Sequence, residues 1–294
     1  MAYQKADQIA EGKTKRVFAV QGEPALTILE YKPDITAYDD PKFTKQFAGK
    51  DVYSCTTTCR VFELLKRHDL PVAYFEQISP IAFVALRCQM IPLEVVARMF
   101  ALGSYLKRYP ELKTPEGQPP PRFSTVIVEF FLKTTKGELR DSTGKFLLSD
   151  LDPQKGEEDP LIINPRERVW RLYHSKKPLY DPASKLKQEV YAIDLLGNDY
   201  EKKIFKMESL LKKTFVILTN AWNKFGCRLI DMKIEFGESV KDGELLIADV
   251  IDNDSWRLRD ANWRELSKEV FRQGGDLATV ANNYELVAKL ASQF

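Results

Sequence analysis

Residues 228–237 read Arg-Leu-Ile-Asp-Met-Lys-Ile-Glu-Phe-Gly, with apolar and charged side chains in alternation. Successive side chains of a strand point to opposite faces, so the pattern predicts a strand with three charged residues on one face, Asp231, Lys233 and Glu235. Residues 240–243, Val-Lys-Asp-Gly, suit a tight turn, and residues 244–252 predict a second strand that carries Asp249. A hairpin of these two strands would place Glu235 and Asp249 on neighbouring strands.

The charged face of this hairpin has two interpretations. Two carboxylates beside a lysine are groups that hold Mg²⁺ and neutralise a phosphate. The same alternation is also typical of a half-solvated hairpin with a charged outer face. The chain has only two histidines, His68 and His174, so a histidine-based triad or metal site is hard to assemble. Carboxylates, lysines and arginines are therefore the candidates for chemistry.

Hydrophobic spacing on either side of this hairpin predicts the helices. Residues 201–225 carry one apolar stripe at helical spacing, and Gly226 follows where a C-terminal cap belongs. Three more stretches predict helices: 51–68, about 276–291, and 93–107, the last broken at Gly103.

Short apolar runs predict the strands of the first half of the chain, 16–20, 26–31, 72–76, 82–91 and 126–133. Residues 134–200 are polar, contain proline and lack a clear period. We therefore expect this stretch to be a long peripheral excursion with little core of its own.

The segment Glu11-Gly12-Lys13-Thr14-Lys15 matches a P-loop only in part. A Walker A motif needs a glycine where the chain has Asp7, and a strand pattern follows instead of a helix. The functional interpretation is a glycine turn between strands that holds Lys13 and Lys15 over phosphates. A basic surface turn explains the same residues.

Arg98, Gly103 and Ser104 form a second candidate site. A helix broken at Gly103 would free backbone N–H groups and the Ser104 hydroxyl near Arg98, which suits a phosphate monoester. Lys107 and Arg108 follow, and a solvated basic helix end is the alternative.

A third candidate is the polar run Asp252-Asn253-Asp254-Ser255-Trp256-Arg257, which suits a polar substrate. The run lacks the glycine and the distal glutamate of an EF-hand loop. A calcium site is therefore not expected there.

Whole-chain properties argue against several classes of protein. Lys plus Arg number 44 and Asp plus Glu 42, so the net charge gives no case for a nucleic-acid or membrane partner. The first residues lack the apolar core of a signal peptide, and no apolar run reaches the ~18 residues of a membrane span. Four cysteines without a matching Cys or His pair predict reduced thiols. We expect a cytoplasmic protein, and a homo-oligomer stays open.

Seven segments, in this order, resemble one family, the SAICAR synthetases. They are Glu11-Gly12-Lys13-Thr14-Lys15, Asp34-Ile35-Thr36-Ala37, Gly49-Lys50, Met90-Ile91-Pro92-Leu93-Glu94, Arg98 with Gly103-Ser104-Tyr105-Leu106-Lys107-Arg108, Asp231-Met232-Lys233-Ile234-Glu235-Phe236-Gly237 and Asp249-Val250-Ile251-Asp252-Asn253-Asp254-Ser255-Trp256-Arg257-Leu258. The last two resemble especially the synthetase part of the animal bifunctional form. Because both the residues and their order are shared, the separate alternatives above lose weight.

The resemblance implies an α+β fold, with a small β-rich, kinase-like N-terminal lobe over residues 1–95, a larger α+β lobe over 96–294, and ATP in the cleft. It implies an ATP-dependent ligase of de novo purine biosynthesis with Mg²⁺ as cofactor. Such an enzyme condenses carboxyaminoimidazole ribonucleotide (CAIR) with L-aspartate and releases ADP and phosphate.

The resemblance also implies site residues. Those for ATP are Gly12, Lys13, Thr14, Lys15, Gln89, Met90, Glu94 and Lys233. Those for the metal are Glu235 and Asp249. Those for CAIR and aspartate are Arg98, Gly103, Ser104, Lys107, Asp254, Ser255, Arg257, Lys268 and Arg272. Catalytic roles would be carried by Lys13, Lys233, Asp231 and Arg257.

The chain departs from the family pattern at residues 38–48, in the length of 134–200, and at Ser267-Lys268, where the family often has Asp-Lys. The implied aspartate contacts depend on this last segment. Because the sequence ends at Phe294, we expect it to lack the carboxylase domain that is fused to the animal protein.

Two rival functions share the same motifs. A small-molecule kinase would transfer phosphate without consuming an amine, whereas the ligase needs aspartate. A non-catalytic nucleotide-binding protein is disfavoured because both carboxylates that would bind metal, Glu235 and Asp249, are present.

Overall fold

A computed structural model describes residues 3–36, 43–141 and 143–294. Ala37 and residues 38–42, which belong to the sequence segments discussed above, lie outside the described residues. By their contacts the residues divide into two compact units. Unit 1 comprises Met1–Met90, Val216–Leu229 and Phe236–Phe294, and unit 2 comprises Ile91–Phe215 and Ile230–Glu235. The division into lobes at residue 95 stays a prediction.

The strands, in chain order, are β1 (Lys5–Glu11), β2 (Lys15–Val20), β3 (Glu23–Tyr31), β4 (Asp34–Thr36), β5 (Thr44–Gln46), β6 (Tyr74–Ser79), β7 (Ala82–Leu86), β8 (Cys88–Phe100), β9 (Arg122–Leu132), β10 (Leu139–Arg140), β11 (Phe146–Leu148), β12 (Leu161–Ile162), β13 (Val169–Tyr173), β14 (Lys185–Tyr191), β15 (Arg228–Ser239), β16 (Leu245–Ala248) and β17 (Trp256–Arg259). The helices are α1 (Lys50–Arg67), α2 (Ser104–Arg108), α3 (Ala192–Leu196), α4 (Tyr200–Asn223), α5 (Glu269–Arg272) and α6 (Leu277–Ala291).

Unit 1 contains a five-stranded antiparallel sheet in the order β1-β2-β3-β7-β6. Helix α1 packs against β3, β6 and β7. The buried ring of Phe62 lies 5.9 Å from that of Tyr74 and 6.4 Å from that of Phe83. The apolar spacing that predicted the helix thus places its buried face on the sheet.

Helix α6 packs on α1 within unit 1. Its N-terminus is capped by Asp276, whose carboxylate accepts from the Thr279 N–H at 2.9 Å, as the residue type favours. Tyr284 of α6 joins a core cluster with Ile35, Phe271 and Val280. This packing holds the C-terminal helix beside the start of α1.

Unit 2 contains a mostly antiparallel sheet in which β14, β13, β12, β9, β8 and the middle of β15 follow one another. Strands β8 and β9 are antiparallel, with Val96 opposite Glu129 and Arg98 opposite Ile127. Because side chains alternate across a strand, every second residue of β8, β9 and β15 shares one face of this sheet.

The structure contradicts two sequence predictions in unit 2. Residues 93–107 do not form a broken helix: β8 extends to Phe100, and only Ser104–Arg108 are helical. The run contains two adjacent β-branched valines and is buried on both faces, which hides the alternation of a strand.

The expectation that residues 134–200 have little core is also wrong. They supply β12, β13 and β14 to the sheet, and Trp170 and Leu172 are fully buried. Two smaller differences concern strand ends: residues 82–91 divide into β7 and β8, and β16 ends at Ala248, just before Asp249.

Candidate active site

A charged cluster lies in unit 2 on the face that β8 and β15 share. The Lys233 ammonium donates to Glu94 Oε1 at 2.7 Å and to Glu235 Oε1 at 2.8 Å. The Lys133 ammonium donates to the other oxygen of Glu235, Oε2, at 2.5 Å. Burial alone would lower the pKa of Lys233, but Glu94 and Glu235 outweigh it and raise that pKa well above its usual value. Lys233 is therefore a fixed positive charge at neutral pH.

Of the two interpretations of the charged face of β15, a half-solvated outer face is wrong for its carboxylates. Asp231 and Glu235 retain only 4% and 5% exposure. Each is neutralised by cationic side chains of its own unit: Asp231 by Arg98, and Glu235 by Lys133 and Lys233. The alternation of charged residues in 228–237 thus marks a buried ionic face and not a solvated one.

Arg98 lies deeper on this face, with 3% exposure. Its Nε donates to Glu129 Oε2 at 2.6 Å, its Nη1 to Asp231 Oδ2 at 2.7 Å, and its Nη2 to Ser104 Oγ at 3.2 Å. Buried Arg108 pairs with the other oxygen of Glu129. Asp231, Arg98, Glu129 and Arg108 therefore form a chain of alternating charges.

Arg98 and Ser104 come together as predicted, although Arg98 lies on a strand. Gly103 has a φ of 60° and immediately precedes α2, a conformation that suits glycine. Lys107 is exposed, whereas Arg108 is buried and donates to the Ser175 carbonyl at 2.6 Å. The basic end of α2 is thus only partly solvated.

In unit 1 the glycine turn joins β1 to β2. The Gly12 N–H donates to the Lys15 carbonyl at 2.9 Å, and Lys13 is exposed while Thr14 is half-buried. Lys15 forms an ion pair with Asp249, which has a φ of 60° directly after β16. The predicted phosphate-binding lysine and one predicted metal ligand are thus neighbours.

A second ionic cluster of unit 1 centres on Asp254. Its Oδ2 lies 3.3 Å from the ammonium groups of both Lys50 and Lys268, and its Oδ1 accepts from the Tyr284 hydroxyl. Burial raises the pKa of Asp254, but Lys268 and Lys50 outweigh it and hold that pKa well below its usual value. Asp254 is therefore ionised.

Two further predicted substrate residues of unit 1 meet at one carboxylate. Arg257 Nη2 lies 3.4 Å from Glu269 Oε2, and Arg272 Nη1 lies 3.2 Å from the same oxygen. Ser255 turns inward, donating to the Val250 carbonyl at 3.3 Å and accepting from the Asp252 N–H at 3.2 Å. Ser255 therefore shapes the loop, while the two arginines present positive charge.

Gly237 of β15 packs tightly against Gln89 and Met90, two residues that the resemblance assigns to ATP. A Cβ on Gly237 would lie 2.7 Å from Cys88 Cβ, 3.1 Å from Met90 Sδ and 3.2 Å from the Gln89 carbonyl oxygen. Only glycine therefore allows β15 to approach this segment so closely. Met90 is 43% exposed and able to meet a ligand.

We expect Gly237→Ala to lower the free energy of unfolding by about 1–3 kcal/mol, because two strands must separate to admit the methyl group. Chemical denaturation measures this change. Gly12→Ala is the matched control, since its new Cβ would come no closer than 3.8 Å to the Lys15 carbonyl oxygen. Equal stability of the two variants would contradict the packing argument.

The donor chemistry of Glu235 and Asp249 fits Mg²⁺. Mg²⁺ takes hard oxygen ligands and commonly needs only one or two carboxylates, with phosphate and water completing its shell. Across residues 3–36, 43–141 and 143–294, no three His, Cys, Asp or Glu side chains are grouped in a ready-made metal site. Glu235 belongs to unit 2 and Asp249 to unit 1.

A cavity of about 480 Å³ occurs elsewhere in unit 2. It is lined by Val128, Phe130, Ile162, Ile163, Asn164, Pro165, Arg166, Glu167 and Glu208, which are not among the predicted site residues. Among the described helices, none combines the length and apolar character that crossing a bilayer requires.

Comparison with known proteins identifies the family to which the chain belongs. A family model described as SAICAR synthetase matches residues 8–146 and 168–290. The chain belongs to the SAICAR synthetase family. The resemblance inferred from the seven segments is confirmed, and the unmatched residues 147–167 fall inside the long excursion.

Two curated relatives in the family differ in length. The phosphoribosylaminoimidazole-succinocarboxamide synthase of Chloroflexus aggregans is 37% identical over 294 residues, covering 97% of this chain and 96% of its own. A bifunctional phosphoribosylaminoimidazole carboxylase/phosphoribosylaminoimidazole succinocarboxamide synthetase of Drosophila melanogaster is 36% identical over 98% of this chain. The present chain spans only 58% of the fly protein.

A solved SAICAR synthetase (Type-2), in complex with ADP, has a similar fold. It is 26% identical, the match covers 97% of both chains, and the TM-score is 0.68. The predicted α+β, SAICAR synthetase-like fold class is confirmed.

Sequence reasoning missed several charged or polar partners in the SAICAR synthetase-like site: Lys50, Arg108, Glu129, Lys133 and Tyr284. Lys50 and Arg108 stood inside the recognised segments, but nothing in the pattern showed that they are buried. Glu129 and Lys133 could have been found from their spacing. They are four residues apart on β9 and its extension, and residues an even number apart on a strand share one face. Tyr284 carried no signal, because an aromatic residue of an apolar helix stripe predicts only packing.

Proposed function

We propose that the protein is an ATP-dependent ligase that joins CAIR to L-aspartate, with release of ADP and phosphate, in purine biosynthesis. The observation that carries the proposal is membership of the SAICAR synthetase family, supported by a relative of that name matched over nearly its whole length. The ADP complex of a structural neighbour supports ATP as the co-substrate.

The reaction makes an amide from a carboxylate that is not activated. Expelling an oxide from a carboxylate is prohibitive, so ATP must first convert that oxygen into a phosphate leaving group, and the aspartate amine then attacks the acyl phosphate. Phosphoryl transfer depends on positioning and charge neutralisation more than on a protein nucleophile. The clusters of lysine and carboxylate suit that requirement.

We assign the lysines to the phosphates of ATP. Lys13 is exposed on the glycine turn, and Lys15, Lys133 and Lys233 are paired with carboxylates. Such pairs keep both charges neutralised without nucleotide. When nucleotide binds, the ammonium groups have phosphate oxygens as new partners, and the carboxylates of Glu235 and Asp249 become available as ligands.

Mg²⁺, when bound, would neutralise the charge that develops on the transferred phosphoryl group. Glu235 and Asp249 are each proposed as a ligand. We assign Gln89, Met90 and Glu94 to the nucleoside part of ATP. The groups assigned to CAIR and aspartate are Arg98, Gly103, Ser104, Lys107, Asp254, Arg257, Lys268 and Arg272. Asp231 keeps Arg98 oriented through their ion pair.

The test is ADP release by the purified protein with ATP, Mg²⁺ and CAIR, with and without L-aspartate. We expect ADP to require both CAIR and aspartate and to appear in equal amount with the amide product, measured by mass spectrometry. Full-rate ADP release without aspartate and without amide would instead identify a small-molecule kinase. Binding of ATP with no turnover under any condition would identify a nucleotide-binding protein.

A further inference from the structure

The Lys50 side chain is entirely buried at the start of α1, with 0% exposure. Its ammonium donates to Ser54 Oγ at 3.0 Å and to Asp254 Oδ2 at 3.3 Å, and lies 5.3 Å from the centre of the Tyr284 ring. Asp252 lies 4.0 Å away. Lys50 is thus enclosed by α1, α6 and the loop after β16, and no part of it is available to a ligand.

Asp254 connects this buried lysine to a more accessible one. Both Lys50 and Lys268 lie 3.3 Å from the same oxygen, Oδ2. The other oxygen, Oδ1, accepts from the Tyr284 hydroxyl. Three partners, on α1, on α6 and just before α5, therefore fix the orientation of one carboxylate.

Stability alone gives a weak reason for such a cluster. A buried ion pair seldom stabilises a fold more than apolar side chains of similar volume would, because desolvation offsets the attraction. In this cluster two ammonium groups also share one carboxylate oxygen and repel each other. An arrangement that contributes little to stability is better explained by what it presents at its accessible edge.

The accessible edge is cationic. Lys268 retains 11% side-chain exposure and Arg272 34%, against none for Lys50. We propose that Lys50 and Tyr284 are positioning residues: they hold Asp254, which in turn holds the Lys268 ammonium ready for a carboxylate of the amino-acid substrate. This inference rests on the proposed ligase function, in which that substrate is a dicarboxylate.

The electrostatics of Lys268 agree with this geometry. Burial lowers the pKa of Lys268, Asp254 opposes that effect, and the positive charges of Arg272 and Lys50 lower the pKa further. Asp252, also buried, has a raised pKa because of burial and the nearby Asp254 charge. Removing the Lys50 charge should therefore raise the pKa of Lys268, since one of the two repelling cations is lost.

The first measurement is steady-state kinetics of Lys50→Met and Tyr284→Phe with each of the three substrates. Loss of one hydrogen bond to a charged group corresponds to about a tenfold change. We expect KM for aspartate to rise about tenfold in each variant, with KM for ATP within about twofold of the parent. Lys66→Met is the control, since Lys66 is an exposed lysine of the same helix.

The second measurement does not need turnover. Acetic anhydride labelling of Lys268 is followed against pH by mass spectrometry, with exposed Lys289 as internal reference. The free amine reacts, so a raised pKa in Lys50→Met shifts the labelling of Lys268 to higher pH, while that of Lys289 is unchanged.

Two results would overturn the inference. One is an unshifted labelling profile of Lys268 in folded Lys50→Met. The other is a lower melting temperature with unchanged KM for aspartate, which assigns the cluster to stability alone. If Lys50→Met does not fold, the KM of Tyr284→Phe decides. A parent protein without aspartate-dependent turnover refutes the ligase function, and the labelling still decides whether Lys50 acts on Lys268.

Discussion

Replacing Glu235 by glutamine is expected to reduce turnover at least about a hundredfold. Mutating a residue that only hydrogen-bonds to a metal ligand already lowers metal affinity or activity about 10- to 100-fold, and Glu235 is proposed as a direct ligand. The substitution keeps the shape of the side chain and removes its charge. It also turns an amide N–H₂ toward one of two ammonium groups, those of Lys133 and Lys233, that now donate to Glu235. The free energy of unfolding should therefore fall by about 1.5–3 kcal/mol.

Steady-state turnover and urea unfolding measure the two effects separately. Asp249→Asn should lose turnover with a smaller stability change than Glu235→Gln, because the Asp249 side chain is 19% exposed against 5% for Glu235 and asparagine tolerates its positive φ. Glu189→Gln is the matched control, a 48% exposed glutamate of β14. Normal turnover of both Glu235→Gln and Asp249→Asn would show that these carboxylates bind no catalytic metal.

Arg98→Ala is expected to lower the free energy of unfolding by about 3–5 kcal/mol, the cost of leaving buried charges without their partner. Glu129 and Asp231 retain only 8% and 4% exposure, and each accepts a hydrogen bond from Arg98. Without Arg98, Glu129 keeps Arg108 as a partner. Asp231 then loses its ion pair with Arg98, so most of the effect should arise at Asp231.

Arg171→Ala is the matched control for this substitution. Arg171 lies on β13 of the same unit, is 59% exposed, and reaches Glu189 only at 3.8 Å, so its loss should cost less than about 1 kcal/mol. Equal losses for the two variants would contradict the buried-charge argument. On the folded fraction of Arg98→Ala, titration should show a larger loss of affinity for CAIR than for ATP, as the phosphate role requires.

Local periodicity predicted the elements that are amphipathic in isolation. Residues 201–225 became α4, with Gly226 at a φ of 70° after its end, and 228–237 became β15. In both, one face is apolar enough that the period is visible in sequence. The absence of a Walker A helix after Lys15 was predicted for a similar local reason, since residues 16–20 carry the pattern of a strand and form β2.

The helix predicted for residues 93–107 was wrong because a strand that is buried on both faces does not alternate between apolar and polar residues. Val95, Val96 and Ala97 are all buried, so apolar residues no longer alternate, and a strand imitates a helix of continuous hydrophobicity. The prediction that residues 134–200 have little core was wrong for a different reason. The strands of this stretch are short, and their apolar residues are diluted by polar loops, although they join the sheet through pairing with β9.

Sequence predicted which residues form the candidate site, but it did not predict their burial or their ion-pair partners. Sequence indicated that Arg98, Asp231 and Glu235 carry chemistry, but it did not show that they are buried. Their burial depends on partners far along the chain: Arg98 and Asp231 are 133 positions apart, and Lys133 and Glu235 are 102 apart. Pairings over such distances are set by tertiary structure and leave no local signal.

The position of strand β12 in the sheet bears on the stability of residues 147–167. Residues 147–167 lie between the two stretches that the family model matches, yet they contain β12, which is hydrogen-bonded to β9 on one side and to β13 on the other. A segment that occupies the interior of a sheet is not a removable addition, because its loss leaves a neighbouring strand on each side without its partner. Deuterium uptake should accordingly be slow at Leu161 and Ile162, as in the neighbouring strands β9 and β13 and unlike a surface loop.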